Sequence, residues 1–192
     1  MPSTFNLNMN NKNIPLSLTL FRIFLTIPIA VGLSFQNENL NWLCVVLFYI
    51  ASITDYYDGY YARKLNAVTN LGKFLDPVAD KILVTSVLVV LVFLQKVDIW
   101  MVILFISRDT LIGGIRAAAS ADQIIIDAQT TGKWKAALQM ISIPLLMVND
   151  LHLYFPSQKI GYGLLWFSVG LSMLSGYQYI QLYFDSKNKL SS

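Results

Sequence analysis

The sequence predicts an all-α integral membrane protein: six transmembrane helices in one bundle, with both termini in the cytosol. Three observations predict it. Of 192 residues, 55% are hydrophobic and only 13% charged, against roughly 25% charge in a soluble domain of this size; mean hydropathy is +0.54. The apolar residues gather into six stretches, 14–35, 42–61, 78–94, 99–119, 134–151 and 160–184, each near the ~20 residues that cross a bilayer. Finally, the basic residues fall on one side. With a cytosolic N-terminus, that side collects Lys12, Arg22, Arg63, Lys64, Lys73, Lys81, Arg108, Arg116, Lys133, Lys135, Lys187 and Lys189, and the other only Lys96 and Lys159. Twelve against two satisfies the positive-inside rule, and an odd number of spans would scatter the charges.

The elements follow in order. Residues 1–13 are polar and Asn-rich, with no apolar core, so they form a polar or interfacial segment rather than a secretory signal. The first span opens at Pro15 and carries Arg22; the second opens near Trp42. Pro15 and Pro77 each suit a first helical position, where a missing N–H costs nothing. The connections 36–41, 62–77, 95–98, 120–133 and 152–159 leave no room for a soluble domain. Residues 14–184 therefore read as one membrane domain and 185–192 as a polar C-terminal tail. Gly113, Gly114, Gly161, Gly163, Gly170 and Gly176 would let helices approach closely. The net charge of +3 comes with no block of like charges, which argues against a nucleic-acid partner. Cys44 is the single cysteine, so neither an intramolecular disulfide nor a thiol metal site is expected. The single histidine, His152, lies in a non-cytosolic loop.

Four aspartates stand out against this apolar background. Asp55 is thirteen residues beyond Trp42, about 20 Å along a helix, and so below the surface of a hydrocarbon core ~30 Å thick. An unpaired carboxylate there costs at least ~2.5 kcal/mol, so it needs a partner or a watery cavity. Asp55 and Asp58 are spaced i, i+3, and Asp76 and Asp80 i, i+4, so each pair shares one helix face. Asp76 before Pro77 also suits an N-cap, and Asp80 beside Lys81 an interfacial pair; Asp55 and Asp58 have no such simple explanation. Four converging anions without His or Cys suit hard cations, Mg²⁺, Mn²⁺ or Ca²⁺. Surrounding basic residues then point to a phosphorylated substrate.

The run Asp55-Tyr-Tyr-Asp58-Gly59-Tyr-Tyr-Ala62-Arg63, eight further residues, then Gly72-Lys-Phe-Leu-Asp76-Pro-Val-Ala-Asp80 resembles the CDP-alcohol phosphotransferase (phosphatidyltransferase) signature D-x2-D-G-x2-A-R-x8-G-x3-D-x3-D at every fixed position. The resemblance extends over the whole chain, since that family's core is six transmembrane helices. It implies that Asp55, Asp58, Asp76 and Asp80 hold one or two Mg²⁺ or Mn²⁺ ions, and that Asp80 is the base for the attacking hydroxyl. By the same resemblance Gly59, Ala62, Arg63, Thr69 and Gly72 belong to the CDP-lipid site, with Arg63 at the diphosphate. Thr19 and Arg22, in Leu18-Thr19-Leu20-Phe21-Arg22, would wall the nucleotide pocket.

The signature leaves the acceptor alcohol open. Arg108, Arg116, Lys133 and Lys135 lie in the cytosolic half of the fourth and fifth spans or their loop, and would serve an acceptor bearing its own phosphate. Lys133 and Lys135 could equally be topology signals. Asn13-Ile14-Pro15, Gly72 through Lys81, Ser107-Arg108-Asp109, Gly132-Lys133-Trp134-Lys135 and Gln139-Met140 resemble the bacterial phosphatidylglycerophosphate synthase branch of the family, although that branch usually carries Glu where this chain has Asp109. The resemblance implies transfer of a phosphatidyl group from CDP-diacylglycerol to glycerol 3-phosphate, in a homodimer of the cell (inner) membrane with its site facing the cytosol and its lipid tails in the bilayer. The alternatives are inositol phosphate, or phosphatidylglycerol as in cardiolipin synthesis, as acceptor, and, more remotely, a divalent-cation transporter.

Overall fold

A computed structural model of the chain describes residues 14–64, 70–124, 130–149 and 156–191, with the side chains of 14–19, 55–64, 70–77, 80, 130 and 189–191 left aside. Six helices follow one another: α1 (Ile14–Ser34), α2 (Glu38–Lys64), α3 (Asn70–Phe93), α4 (Ile99–Ala121), α5 (Thr130–Met147) and α6 (Ser157–Ser191). Among the described residues there is no strand. The expected interfacial segment 1–13 lies outside the described residues.

All six expected helices form, and the largest difference in their bounds, at the start of α3, lies beside the aspartates. A connection was expected over 62–77, but α2 continues through Lys64 and α3 already begins at Asn70. The reason is local. Ala62, Arg63 and Lys64 are strong helix formers, and Leu71, Phe74 and Leu75 repeat at the i, i+3, i+4 spacing of a helix face. Pro77 is consequently the eighth residue of α3 and not its first. At the other end of the chain, α6 runs on as helix through the polar residues after 184.

The turns are closed by an unusual choice of residue. Gln36, Gln95 and Gln123 adopt positive φ, at 52°, 58° and 57°, a conformation that costs an ordinary side chain roughly 1–2 kcal/mol. At Gln95 and Gln123 the surrounding bonds make Schellman ends. Gln95 N–H donates to Val92 O and Lys96 N–H to Leu91 O; Gln123 N–H donates to Ser120 O and Ile124 N–H to Ala119 O. Ile124 then packs with Ala119, Tyr183 and Ile115, the apolar contact that accompanies this motif. Asn37 starts α2, its Oδ1 accepting the N–H groups of Asn39 and Leu40.

The chain divides into two compact units, Met1–Val90 and Leu91–Ser192. In the first, α1 and α2 pack antiparallel: Arg22 pairs with Ala51, and Ile29 with Cys44. A Cβ on Gly32 would lie 2.6 Å from Cys44 Sγ, so glycine is what lets the two helices close at that level. In the second, α5 runs antiparallel to α6, with Ser168 Oγ donating to Lys135 O and Thr131 bonded to Gln178. A Cβ on Gly161 would lie 3.0 Å from Ser142 O and from the Leu145 and Leu146 side chains. Gly114, Gly163 and Gly170 face open space, so the expectation of glycine-mediated packing holds at Gly161 and at Gly176, which faces Arg108, but not at those three, while Gly32 is a close approach that was not expected. α4 lies parallel to α6, with Tyr162 bonded to Asp98 at one end and Tyr183 to Asp122 at the other.

Buried polar residues line the α5–α6 contact. Lys135, Gln139 and Ser142 on α5, and Ser168, Ser172 and Ser175 on α6, are all buried, each trio at the i, i+4, i+7 spacing of one face. Among the described residues no helix is long and apolar enough to cross a membrane. In α4 the charges Arg108, Asp109 and Arg116 interrupt the apolar run, and in α6 serines, glycines and tyrosines dilute it.

Candidate active site

The two halves of the aspartate signature occupy the ends of consecutive helices. Asp55, Asp58, Gly59, Ala62 and Arg63 fall in the last three turns of α2, and Gly72, Asp76 and Asp80 in the first three turns of α3. The helical backbone keeps each aspartate pair on a single face. Thr69, in the connection 65–69, lies outside the described residues, and so do the side chains of Thr19 and of the eight signature residues. The backbone does remove one simple explanation. Because α3 begins at Asn70, Asp76 lies well inside the helix and is not its N-cap. Four carboxylates without His or Cys are, by residue type, the oxygen donors that suit a hard divalent cation. Among the described residues there is no cluster of three or more His, Cys, Asp or Glu, and the side chains of the four aspartates lie outside them.

Arg22 is drawn to the same end of α2. Its side chain is almost fully buried, at 1% exposure, and its Nε donates to the carbonyl of Ala51 at 3.2 Å. Ala51 is one helical turn before Asp55, about 6 Å along the axis. Thr26 Oγ1 donates to the Arg22 carbonyl at 3.0 Å.

The expected basic residues divide into an inner pair and an outer pair. Arg108 is held at all three guanidinium nitrogens: Nε donates to Ser172 O at 2.9 Å, Nη2 to Ser175 Oγ at 3.1 Å, and Nη1 to Asp109 Oδ1 at 3.0 Å. The same Asp109 oxygen receives Lys135 Nζ at 2.5 Å, and that ammonium lies 5.5 Å from the centre of the Phe105 ring. A Cβ on Gly176 would come within 3.3 Å of Arg108 Nε, so a small residue there leaves the guanidinium its place. Lys133 points elsewhere. Two residues from Lys135, it lies ~200° around the helix and is exposed. Arg116 lies 5.3 Å over the Tyr179 ring. The structure thus brings Arg108 and Lys135 to one carboxylate and leaves Arg116 and Lys133 outside that contact.

Neither Ser172 nor Ser175 was expected at the site, and Asp109 was expected only as a shortened carboxylate whose pairing with an arginine stood open. The available signal was the face shared by Ser168, Ser172 and Ser175, polar in an otherwise apolar helix. At the far end of α4, Lys187 and Tyr183 both donate to Asp122 Oδ2, at 3.1 and 3.0 Å. Asp122 is held below the usual carboxylate range, first by the Lys187 hydrogen bond, then by that of Tyr183 and the Lys187 charge.

Residues 12–174 match the family model described as CDP-alcohol phosphatidyltransferase. Three curated proteins named CDP-diacylglycerol–glycerol-3-phosphate 3-phosphatidyltransferase are similar to this chain. That of Bacillus subtilis (strain 168) is 37% identical over 179 residues, covering 90% of this chain and 93% of the relative. That of Rickettsia bellii is 35% identical over 177 residues, covering 89% and 95%. That of Haemophilus influenzae is 37% identical over 136 residues, covering 68% and 73%.

Proposed function

The chain belongs to the CDP-alcohol phosphatidyltransferase family, and on that premise we propose that it transfers a phosphatidyl group from CDP-diacylglycerol to sn-glycerol 3-phosphate, releasing CMP. The observation that carries this reading is the complete aspartate signature on two consecutive helix ends, in a chain that matches nearly the full length of relatives named for that reaction.

The family generally depends on a divalent metal. Asp55, Asp58, Asp76 and Asp80 would hold it, as Mg²⁺ or Mn²⁺ and with room in the donor set for two ions; when bound, it draws charge from the diphosphate. The chain's own residues do the rest. Arg63 binds the diphosphate of the CDP-lipid, with Gly59 and Ala62 from the same helix, Thr69 from the connection and Gly72 from α3, while Thr19 and Arg22 flank the nucleotide. Asp80 accepts the proton of the acceptor hydroxyl as that oxygen attacks the lipid-side phosphorus and the bond to the CMP oxygen breaks. Arg108 and Lys135 bind the phosphate that glycerol 3-phosphate already carries, and Arg116 and Lys133 draw the anion in from outside.

The site works at a membrane, as a multi-pass homodimer with the signature facing the cytosol. What supports a lipid setting is the outer surface. On α1, Phe24, Ile27 and Val31 point outward at 52–66% exposure, while Arg22 and Thr26 turn inward. On α4, Trp100, Ile103, Ile106 and Leu111 are exposed, and Arg108 and Asp109 are bonded to one another and to α5 or α6. Polar groups inside and apolar groups outside suit hydrocarbon solvent far better than water.

The test is an acceptor panel. Purified protein with CDP-diacylglycerol and Mg²⁺ is given glycerol 3-phosphate, inositol phosphate, phosphatidylglycerol or serine, and CMP release is measured. Glycerol 3-phosphate should support the fastest release; preference for another acceptor would overturn the reading.

A further inference from the structure

The Arg108–Asp109–Lys135 contact has a feature that two phosphate-binding cations do not by themselves require. A carboxylate at the centre of an anion site opposes the anion. It lowers the charge of the trio from +2 to +1, and anion affinity should fall with it. Two like charges nonetheless meet on one oxygen, Oδ1 of Asp109, at 3.0 and 2.5 Å. Without it, the Arg108 guanidinium and the Lys135 ammonium would repel each other across a poorly solvated gap, since the two side chains are only 13% and 9% exposed. Arg108 is further fixed from α6 by Ser172 O and Ser175 Oγ. A guanidinium has five N–H donors. The three bonds described take one from each nitrogen, which leaves one N–H on Nη1 and one on Nη2, the pair a phosphate engages in bidentate fashion.

We propose that Asp109, assisted by Ser175, is a positioning residue: it holds Arg108 and Lys135 at a common point so that both engage the acceptor's phosphate together. This rests on the glycerol 3-phosphate reading above. Asp109 touches neither the reacting phosphorus nor the attacking oxygen; it acts through the two cations. Lost anion affinity is the cost, and orientation is the gain.

The two effects of the carboxylate predict opposite results. If Asp109 served only to neutralise charge, Asp109→Asn would tighten acceptor binding. If it positions, Asp109→Asn should raise KM for glycerol 3-phosphate about tenfold, with kcat changed less than about threefold and KM for CDP-diacylglycerol unmoved. Asp109→Glu, which keeps the carboxylate, should restore KM to within about threefold of native. A purely structural role would lower the amount of active enzyme, and so apparent kcat, and leave KM alone. An unchanged or lower acceptor KM in Asp109→Asn overturns the proposal. Should that variant not fold, Ser175→Ala keeps every charge and removes one anchor of Arg108; it should raise acceptor KM about threefold, and no rise overturns the proposal equally. Arg108→Ala and Lys135→Ala run alongside separate the two levels. If they raise acceptor KM and Asp109→Asn does not, positioning fails and the acceptor reading stands. If none of the three affects acceptor KM, the acceptor reading itself has failed.

Discussion

The unit that ends at Val90 and the unit that begins at Leu91 carry opposite chemistry. The first brings four aspartates on the consecutive ends of α2 and α3, two on each helix at fixed spacing. The second brings Arg108 and Lys135, from α4 and α5, together on Asp109 with anchors from α6. The acidic set is local in sequence and the basic set is assembled from three helices. A local set survives any arrangement that keeps its helices intact, whereas an assembled set depends on tertiary packing. Donor chemistry should therefore tolerate disturbance of the second unit, and acceptor recognition should not.

The largest effect should fall on the acidic set. Asp80→Asn removes the proposed proton acceptor and should lower turnover by about 10²–10⁴-fold, while CDP-lipid binding should persist on the three remaining carboxylates. Asp55→Asn should lose turnover and metal-dependent nucleotide binding together. Single-turnover assays with equilibrium binding distinguish the two, and near-native activity in either variant would break the comparison at its acidic side. Next comes the basic set. Arg108→Ala removes charge-assisted hydrogen bonds of about 1.5–3 kcal/mol, or a 10- to 150-fold loss in kcat/KM for glycerol 3-phosphate, with KM for CDP-diacylglycerol unmoved. Arg63→Ala should show the reverse pattern. If Arg108→Ala weakens the donor instead, the division of labour between the units is wrong.

Smaller effects sharpen the contrast by touching neither set. Gln123→Gly relieves a positive φ of 57° and should stabilise the protein by up to about 1 kcal/mol, read as a raised Tm with both KM values constant. The smallest effect belongs to Asp122. Its depressed pKa means its bond to Lys187 supports the fold above the ordinary carboxylate value of ~3.9 and ceases to as pH falls through the lower folded value. The small Tm difference between native protein and Asp122→Asn at pH 7 should therefore vanish in strong acid.

The same division explains what could be read in advance. Eight signature residues within 26 positions were legible because their meaning lies in spacing along helices, and the helix count followed from apolar run lengths. The bounds around the signature were not, because proline at 77 reads as a helix start when it stands in the eighth position of one. In the basic set, charge alone nominated four cations. Which of them meet depends on how α4, α5 and α6 pack, and the i, i+2 spacing of Lys133 and Lys135 was the one local hint that they point apart. The role of Asp109 was hidden for the same reason, because its second cation is 26 residues away.

The polar seam between α5 and α6 has a consequence for how the chain is made. In the bilayer proposed here, α5 alone would present Lys135, Gln139 and Ser142 to lipid, and α6 alone would present Ser168, Ser172 and Ser175. Neither helix is a good independent passenger for the insertion machinery, yet side by side each covers part of the other's polar face, as the Ser168 bond to the Lys135 carbonyl does directly, and α4, inserted before them, meets the rest through Asp109 and Arg108. The two should leave the translocon as one hairpin. In a nascent chain halted after α5, a cysteine placed in α5 should then react with a water-soluble thiol reagent, and in one extended through α6 it should not.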